Sequence, residues 1–416
     1  MPYSVASFRK KLLFSSLYFS EGAPIGFLWW ALPTRLKSAG FESDQITGLT
    51  AILVLPWAFK FLWAPAVDAL QSRRWTLRNW IVSCQILMGV TLLPLFWLDL
   101  RTDFELIQWT LLAHAAFAAT QDVSIDALCI SLTKPEERGK YNGWMQAGML
   151  TGRSLLGGGT LILFSRFGND FVIGALLAAT LWSMILLLLI PEVRDVPVPA
   201  DKSSIRESFR TMTRSLHSAF SHRTMWLGVL FALTGGAAFE ALGAIQGPLL
   251  KELGYTEEQI GWLFAVPYVL FMAIGSIIGG YLADRIGHRE FVQFSLLLFV
   301  IGTASAGYLL TQDKLDPDRL AICICAEGFA IGLFIAGSYA LFMDLTDPRL
   351  AGTQFSAFMG ATNGCEAWSA KVVGILAVSQ GYSIALWCLC GVSLLSLPVL
   401  RALTSEANRK PPRSIL

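Results

Sequence analysis

The sequence predicts an all-α membrane protein with twelve transmembrane helices in two six-helix bundles. Three observations predict this fold class: an apolar composition, twelve long apolar runs, and a repeat that spans half of the chain. Of the 416 residues, 54% are hydrophobic and only 15% are charged, whereas soluble domains average roughly 25% charged residues. The mean hydropathy is +0.55. Because a soluble surface carries more charge than this, the chain is expected to lie in a lipid bilayer.

The long apolar runs give the positions of the predicted spans. A helix needs about 20 apolar residues to cross the hydrocarbon core of a bilayer. In the first half of the chain, the predicted spans are Leu12–Pro33, Ile46–Val67, Trp80–Leu98, Leu106–Leu132, Trp144–Phe164 and Phe171–Ile190. In the second half, they are Met225–Leu249, Ile260–Leu282, Phe291–Leu310, Leu320–Phe342, Phe355–Val378 and Tyr382–Leu403.

Lys and Arg residues are distributed unevenly between the loops on the two sides of these spans. When both termini are placed inside, the inner segments hold 22 Lys and Arg residues and the outer loops hold 7. Positively charged loops remain on the cytoplasmic side of a membrane. Both termini are therefore expected in the cytoplasm.

The two halves of the chain repeat each other in sequence at nearly one offset. The matches are Gly40–Ile46 with Gly254–Ile260, Asp68 with Asp284, and Pro135 with Pro348, at offsets of 214, 216 and 213. The predicted organisation is a bundle over residues 1–190, a cytoplasmic linker over 191–224, and a second bundle with a cytoplasmic tail over 225–416. Internal duplication with a site between the halves is typical of secondary transporters.

The linker carries an amphipathic pattern of its own. Apolar residues recur at helical spacing from Ile205 to Phe220, and Arg206, Arg210 and Arg214 fall on another face. This pattern predicts a helix on the inner membrane surface. We interpret it as a linker that ties the bundles together, with a lipid or partner contact as the alternative.

The loop after the eighth predicted span holds a recognisable motif. Gly280-Tyr-Leu-Ala-Asp284-Arg285-Ile-Gly287-His-Arg289 resembles G-x-x-x-D-R-x-G-x-R, the loop signature of the major facilitator superfamily. The copy after the second span keeps Asp68 but lacks the first Gly and the Asp-Arg pair. The resemblance implies the major facilitator fold and transport of a small-molecule substrate by alternating access.

Residues 15 to 160 resemble a narrower group, the muropeptide permeases, acetyl-CoA transporters and siderophore permeases. The motifs that carry this resemblance are Tyr18-Phe-Ser-Glu21-Gly22-Ala-Pro24, Lys60-Phe-Leu-Trp63-Ala-Pro65-Ala-Val-Asp68, Gln121-Asp122-Val-Ser-Ile-Asp126-Ala and Glu137-Arg138-Gly139. The group implies a monomer in a bacterial inner membrane. Its cargo classes are siderophores, muropeptides and CoA-type compounds.

The loop motif is predicted to gate the conformational cycle. Its residues are Asp68, Gly280, Asp284, Arg285, Gly287 and Arg289. A carboxylate at Asp284 can cap exposed helix N-termini, which carry partial positive charge. Arg285 and Arg289 can reach carboxylates or lipid phosphates, so that the motif holds one state and is released in the other. The alternative is a tight turn that carries positive charge on the inner side.

Ionisable residues inside the predicted spans mark a candidate substrate pathway. Each costs about 2.5–3.5 kcal/mol or more near the bilayer centre, so each requires a partner or a polar pathway. The predicted pathway residues are Glu21, Asp122, Asp126, Arg153, Glu240, Glu327, Glu366 and Lys371. In the resembled family, the spans with Glu21, Asp122, Glu240 and Glu327 line the central cavity. The alternative is that these charges pair and fasten helices together.

Arg153 is the residue predicted to bind the substrate. A guanidinium group is always charged and binds carboxylate or phosphate with a planar fork, which predicts an anionic cargo. A carboxylate near it could titrate and couple transport to protons. Burial raises the pKa of such a carboxylate, whereas a neighbouring cation lowers it. The sequence therefore leaves proton coupling open.

Other function classes lack their sequence signals. No H-E-x-x-H or G-x-S-x-G motif is present, so no enzymatic activity is expected. The net charge of +2 gives no basic excess for nucleic acid. The seven cysteines form no metal-ligand spacing, and neither a metal nor a cofactor is expected. The remaining alternative is a transport-inactive receptor or scaffold on the same fold.

Overall fold

The computed structural model describes residues 2–72, 74–133, 138–193, 223–313, 315–346 and 351–407. Within these ranges every regular element is helical. The amphipathic helix predicted for the linker lies outside the described residues, as does the tail beyond residue 407. Asp68 lies within a described helix, but its side chain does not belong to the described part of the structure.

The described residues of the first half form nine α-helices. They are α1 (Pro2–Gly26), α2 (Leu32–Ser38), α3 (Ser43–Phe59), α4 (Ala64–Ala69), α5 (Leu77–Leu92), α6 (Phe104–Leu132), α7 (Arg138–Arg153), α8 (Gly159–Phe167) and α9 (Asn169–Leu189). Several helices continue past their apolar runs into polar residues, because helical hydrogen bonding does not stop where the hydrocarbon core ends. Arg138 therefore begins α7, six residues before the predicted span.

The described residues of the second half form eight further α-helices. They are α10 (Arg223–Thr234), α11 (Ala237–Glu252), α12 (Glu257–Leu263), α13 (Val269–Ile286), α14 (His288–Leu309), α15 (Pro317–Leu345), α16 (Ala351–Gln380) and α17 (Tyr382–Ala407). A turn at Gly235 and Gly236 separates α10 from α11 inside the predicted seventh span. Broken helices of this kind are frequent at transporter binding sites.

The repeated sequence motif builds the same local structure in both halves. Gly40 and Gly254 have φ angles of 91° and 90°, a conformation that glycine adopts without steric cost. After each glycine, a helix begins with a reciprocal cap. The backbone N–H of Glu42 donates to Gln45 Oε1 at 3.1 Å, and that of Thr256 donates to Gln259 Oε1 at 2.9 Å. The match in sequence is therefore also a match in backbone structure.

Nine helical segments among the described residues are long and apolar enough to cross a membrane. They are Ser43–Leu62, Leu77–Phe96, Phe104–Leu132, Asn169–Leu189, Arg223–Glu252, Glu257–Ile286, His288–Leu309, Asp318–Leu345 and Tyr382–Leu403. The other three predicted spans fall on helices that carry ionisable side chains within the apolar run: α1 with α2, α7 with α8, and α16. The count of twelve spans therefore stays a prediction.

The contacts between helices divide the chain into two compact units. The first unit comprises Met1–Phe41, Leu62–Phe209 and Leu250–Val266, and the second comprises Glu42–Phe61, Arg210–Leu249 and Pro267–Leu416. Each unit takes in segments from both predicted bundles, because α3 packs against α16 and α12 packs against α8. The predicted boundaries at 190 and 225 remain a prediction.

Each unit has its own apolar core. In the first unit, Phe14 packs edge-on against Tyr141, with the ring centroids 6.0 Å apart. In the second unit, Phe342 stacks on Phe358 with the ring centroids 5.0 Å apart. Aromatic pairs in these geometries contribute about 0.5–1.5 kcal/mol each beyond the area they bury. These cores hold the helices that carry the ionisable side chains.

Candidate functional site

A first acid cluster, formed by Glu21, Asp122 and Asp126, joins α1 to α6 in the first unit. Tyr18 donates a hydrogen bond from its hydroxyl group to Oδ1 of Asp126 at 2.6 Å. Glu21 and Asp122 are buried, and both lie close enough to Tyr18 to interact with it electrostatically. Asp122 and Asp126 are four residues apart and share a helix face. The fold thus gathers three of the predicted pathway acids around one tyrosine, which the sequence analysis did not single out.

Arg153 lies on the helix that packs against α1. The two backbones are in close contact, because a Cβ atom at Gly22 would overlap the carbonyl oxygen of Met149. The same contact brings the backbone of Arg153 against Gly26, five residues beyond Glu21. Nε of Arg153 is buried and makes no hydrogen bond within the part of the chain that the structure describes. A buried guanidinium nitrogen without a protein acceptor is a donor available to a ligand.

Three π-helical turns meet next to Arg153 in the first unit. They are Phe27–Ala31, Ser154–Gly158 and the start of Phe264–Tyr268. Ser154 donates a hydrogen bond to the carbonyl oxygen of Ala265, and the ring centroids of Trp30 and Phe264 are 5.8 Å apart. Single π-helical turns occur frequently at functional sites. The sequence analysis did not predict these turns.

A second acid cluster, formed by Glu240, Glu327 and Glu366, lies in the second unit. Glu240 occupies the first turn of α11, directly after the break at Gly235 and Gly236. Tyr268 interacts electrostatically with Glu327 and Glu240 and shares a hydrogen bond with Gln246. Glu366 on α16 and Glu240 both interact with the thiol of Cys365. Glu240 and Glu327 thus lie near Tyr268, and Glu366 follows Cys365, whose thiol also interacts with Glu240.

Glu327 and His114 occupy equivalent positions in the two halves. Each is 1% exposed, and each contacts a threonine hydroxyl on the preceding span. Thr303 donates to Glu327 Oε1 at 2.5 Å, and the Thr91 hydroxyl lies 3.1 Å from His114 Nδ1. The second polar atom of each side chain, Oε2 or Nε2, is buried without a hydrogen bond among the described residues. The sequence analysis missed His114, although the offset of 213 from His114 to Glu327 would have found it.

Lys371 lies where α16 meets α3. Its side chain is exposed, and its Nζ is 3.5 Å from the carbonyl oxygen of Asp44, in the first turn of α3. Nearby, the hydroxyl groups of Ser43 and Tyr382 form a hydrogen bond of 2.7 Å. Lys371 therefore takes part in the contact between α3 and α16, and its predicted place in the substrate pathway remains a prediction.

Like the contact between α3 and α16, the contact between α8 and α12 joins the first half of the chain to the second half. Gly158 and Gly261 allow the two backbones to touch, because a Cβ at Gly158 would lie 2.5 Å from the Gly261 carbonyl oxygen. Arg166 donates to Glu258 at 2.6 Å, and Lys37 forms an ion pair with Glu252. The loops at these helix ends, like those at α3 and α16, are among those that the charge bias predicts to lie outside.

The loop motif forms a histidine bridge, which the sequence analysis did not anticipate. His288 lies between two carboxylates: Nε2 is 3.2 Å from Asp284 Oδ1, and Nδ1 is 2.5 Å from Asp344 Oδ2. A histidine that donates from both ring nitrogens is the imidazolium form. Asp284 thus contacts His288, where the sequence analysis expected a helix N-terminus. The signal for the bridge was the His between Gly287 and Arg289.

The other members of the motif shape the turn. Gly287 has a φ angle of 102° and ends α13, a conformation that a side chain would strain. Arg285 is exposed, and Gly280 is half-buried. Nε of Arg289 is buried and makes no hydrogen bond to any residue that the structure describes. The motif therefore forms the tight turn that the alternative interpretation predicts, and it also forms a bridge to α15.

A helical, multi-pass membrane protein with buried acid clusters and broken helices has the features of a membrane transporter. Comparison with known proteins gives the family. The model of the Major Facilitator Superfamily matches residues 14–247 and 225–415. The chain belongs to the major facilitator superfamily, whose members move small molecules across membranes and are not enzymes.

Curated relatives agree with the narrower resemblance. The chain is 22% identical over 400 residues to "Putative transporter AmpG 4" of Rickettsia conorii, covering 93% of this chain and 95% of the relative. It is 24% identical over 380 residues to "Anhydromuropeptide permease" of Escherichia coli K12, covering 88% of this chain and 74% of that protein. The muropeptide permease group is thus among its relatives.

Solved structures support the fold. The nucleoside transporter NupG matches with a TM-score of 0.69 at 13% identity and covers 97% of this chain and 100% of its own. A D-xylose-proton symporter matches with a TM-score of 0.72 at 12% identity, covering 94% and 97%. The described residues hold no group of three or more His, Cys, Asp or Glu side chains that could bind a metal ion.

Proposed function

We propose that the chain is a secondary active transporter that moves a small anionic solute across a bacterial inner membrane by alternating access. The observation that carries this proposal is Arg153, whose buried Nε donates no hydrogen bond within the described residues. Burying part of a guanidinium group is costly unless an acceptor occupies the site. A carboxylate or phosphate group of the cargo would supply that acceptor in a planar, two-pronged geometry.

The anhydromuropeptide class is the first cargo to test. It is named by a relative that covers 88% of this chain, and a compound of this class combines sugar, peptide and carboxylate groups. Siderophores and CoA-type compounds are the other classes implied by the motifs between residues 15 and 160. All three classes contain negatively charged groups that Arg153 could bind.

The acid clusters support a role for protons. Glu327 is enclosed, with one oxygen bonded to Thr303 and the other without a hydrogen bond in the described part of the chain. A proton that enters or leaves such a site changes its local free energy strongly. Proton movement through the second acid cluster would then drive transport, while Arg153 binds the cargo.

Two sets of contacts support alternating access with both termini in the cytoplasm. The contacts of α3 with α16 and of α8 with α12 would close the outer ends of the helices. The bridge formed by Asp284, His288 and Asp344 would act on the inner side. Such contacts form in one state and break in the other, as a two-state transporter requires.

Uptake by proteoliposomes that contain the purified protein tests this proposal. With an anhydromuropeptide, a siderophore or a CoA ester inside, we expect counterflow of one labelled compound, and loss of that counterflow in Arg153→Ala. Arg401→Lys, on the exposed face of α17, is the matched control and should transport normally. Binding of a cargo without counterflow in the wild type would instead favour a transport-inactive receptor. Normal counterflow in a folded Arg153→Ala protein would contradict the proposed site.

A further inference from the structure

A cavity of about 520 Å³ lies in the first unit. Its wall is formed by the helix ends near Ser38, Leu98 and Gly168, which adjoin the loops after the first, third and fifth predicted spans. None of the eight predicted pathway residues lines it. A cavity of this size accommodates a ligand of drug-like dimensions. The superfamily assignment and the proposed transport cycle do not account for it.

The cavity has an apolar wall and a charged wall. Phe27, Leu95, Ile107, Leu111 and Ile173 contribute to the apolar wall. The charged side chains that line the cavity are Arg35, Asp99, Arg101 and Glu257, and the polar ones are Ser38 and Asn169. A site with these two sides fits an amphiphile whose charged head and apolar body are adjacent.

Arg35 is fixed in place by its neighbours. Its guanidinium carbon lies 3.6 Å from the ring centroid of Phe164, and Nη1 donates to Asn169 Oδ1 at 2.8 Å. Asn169 in turn donates from Nδ2 to the Leu95 carbonyl oxygen at 3.1 Å. A guanidinium group has five N–H donors, so this arrangement orients the cation and leaves donors for a phosphate group.

Two carboxylates balance the two arginines. Asp99 accepts hydrogen bonds from the backbone N–H groups of Arg101 at 2.8 Å and Thr102 at 3.2 Å. These bonds hold the pKa of Asp99 below its ordinary value, so it remains a carboxylate. Glu257, in the first turn of α12, interacts electrostatically with Arg35. With two positive and two negative groups, the cavity matches a zwitterion better than a simple anion.

Exposed aromatic residues adjoin the lining of the cavity in sequence. Trp97 is 80% exposed and Phe167 is 62% exposed, and both are next to lining residues in sequence. Phe167 also pairs with exposed Phe171, with ring centroids 4.9 Å apart. Tryptophan at the end of a span is typical of the interface between hydrocarbon and headgroups. The position of Trp97, next to the end of the third predicted span, therefore predicts that the cavity lies at the height of the lipid headgroups.

We propose that this cavity binds one zwitterionic phospholipid that carries a primary amine. Its phosphate group contacts Arg35 and Arg101, its ammonium group contacts Asp99 and Glu257, and the first part of an acyl chain lies along the apolar wall. Glu257 belongs to α12, which packs against α8 in this unit. A lipid that uses Glu257 binds better when this contact is formed, and so it stabilises the state in which α8 and α12 are joined.

Lipid titration of the delipidated, detergent-purified protein tests this proposal. Binding is measured by native mass spectrometry and by thermal unfolding, with phosphatidylethanolamine, phosphatidylglycerol and the soluble headgroup glycerophosphoethanolamine as probes. We expect phosphatidylethanolamine to bind about tenfold more tightly than phosphatidylglycerol. Arg35→Gln should remove this binding, and Glu257→Gln should remove the preference between the two lipids. Arg319→Gln is the matched control, because this exposed arginine pairs with Asp316 elsewhere.

A second variant keeps the test decisive if Arg35→Gln does not fold. Leu98→Trp places a large ring in the cavity and changes no charge. Unchanged binding of phosphatidylethanolamine by folded Leu98→Trp would overturn the proposal, as would equal binding of the two lipids. If the soluble headgroup binds as tightly as the intact lipid, the occupant is a water-soluble zwitterion and the phospholipid assignment is wrong.

Discussion

The helices α6 and α15 are equivalent elements of the two halves, yet they carry different ionisable groups at the same place. Both are 29 residues long, and their ends are related by the offset of 213 found in the sequence. His114 on α6 is held by Thr91, and Glu327 on α15 is held by Thr303. Both halves of the repeat thus keep a buried, titratable side chain at this position, in contact with a threonine hydroxyl group. The side chain is a base, His114, in the first half and an acid, Glu327, in the second half.

This difference indicates how the work of the two halves is divided. His114 also lies 3.2 Å from the carbonyl oxygen of Met88, so it makes two contacts within its own half. Glu327 has the Thr303 bond and a second oxygen with no hydrogen bond to the residues described. The second polar atom of both side chains lacks a hydrogen bond among the described residues, but only His114 has an additional carbonyl contact. We therefore expect His114 to be structural and Glu327 to take up and release a proton.

Replacing Glu327 and replacing His114 should give the largest difference, which is expected in proton-driven accumulation of the cargo. Glu327→Gln keeps the shape of the side chain but cannot ionise, so proton-driven accumulation should fall by about tenfold or more. Counterflow, which needs no net proton movement, should persist. The matched variant His114→Gln should reduce accumulation less than about threefold. Accumulation and counterflow measured in the same proteoliposomes separate these effects, and equal losses in the two variants would refute the division of roles.

Removing the two threonine hydroxyls should give a smaller contrast, in stability. Thr303→Val leaves Glu327 buried without its donor, which costs about 1–3 kcal/mol. Thr91→Val leaves His114 its contact with the Met88 carbonyl, so its cost should be about 0.5–1.5 kcal/mol. Thermal unfolding in detergent compares the two proteins directly. A larger loss of stability in Thr91→Val than in Thr303→Val would mean that Glu327 does not depend more strongly on its threonine than His114 does.

Substitutions in the two copies of the loop motif should give the smallest difference in transport. Asp284→Asn weakens the contact with His288, and turnover should fall by about two- to fivefold while the Michaelis constant changes less than about threefold. Asp68→Asn, in the copy that lacks the Asp-Arg pair, should have a smaller effect on turnover. Initial uptake rates across substrate concentrations provide both constants. A large change in affinity at unchanged turnover would place Asp284 in binding, not in gating.

The sequence predicts the helices well because each depends on a local property. Long apolar runs place α6 within two residues of the predicted span, Leu106–Leu132, and α17 begins at the predicted Tyr382. The breaks are less predictable: the π-helical turn at Ser154–Gly158 depends on how α7 and α8 pack against other helices. The run of glycines there permits the turn but does not specify it.

The candidate site is predicted only as a set of residues. Costly charges in apolar runs identify Glu21, Asp126, Glu327 and Arg153 one at a time. Their partners, such as Tyr18 for Asp126, are 108 residues away in the chain and belong to residue types that are common in spans. Such contacts follow from tertiary packing, so no local sequence pattern predicts them. His288 was missed for the same reason, because its partner Asp344 is 56 residues away.

Two substitutions of Arg153 test the central claim most directly, namely that this arginine binds an anionic cargo. Arg153→Lys keeps the positive charge but loses the planar fork, whereas Arg153→Ala loses both. Cargo binding and thermal unfolding are measured on both purified proteins. The account predicts that Arg153→Lys binds the cargo at least about tenfold more weakly, that Arg153→Ala does not bind it, and that both unfold near the wild-type temperature. Normal affinity in Arg153→Lys, together with a large fall in the unfolding temperature of Arg153→Ala, would show instead that Arg153 fastens helices together.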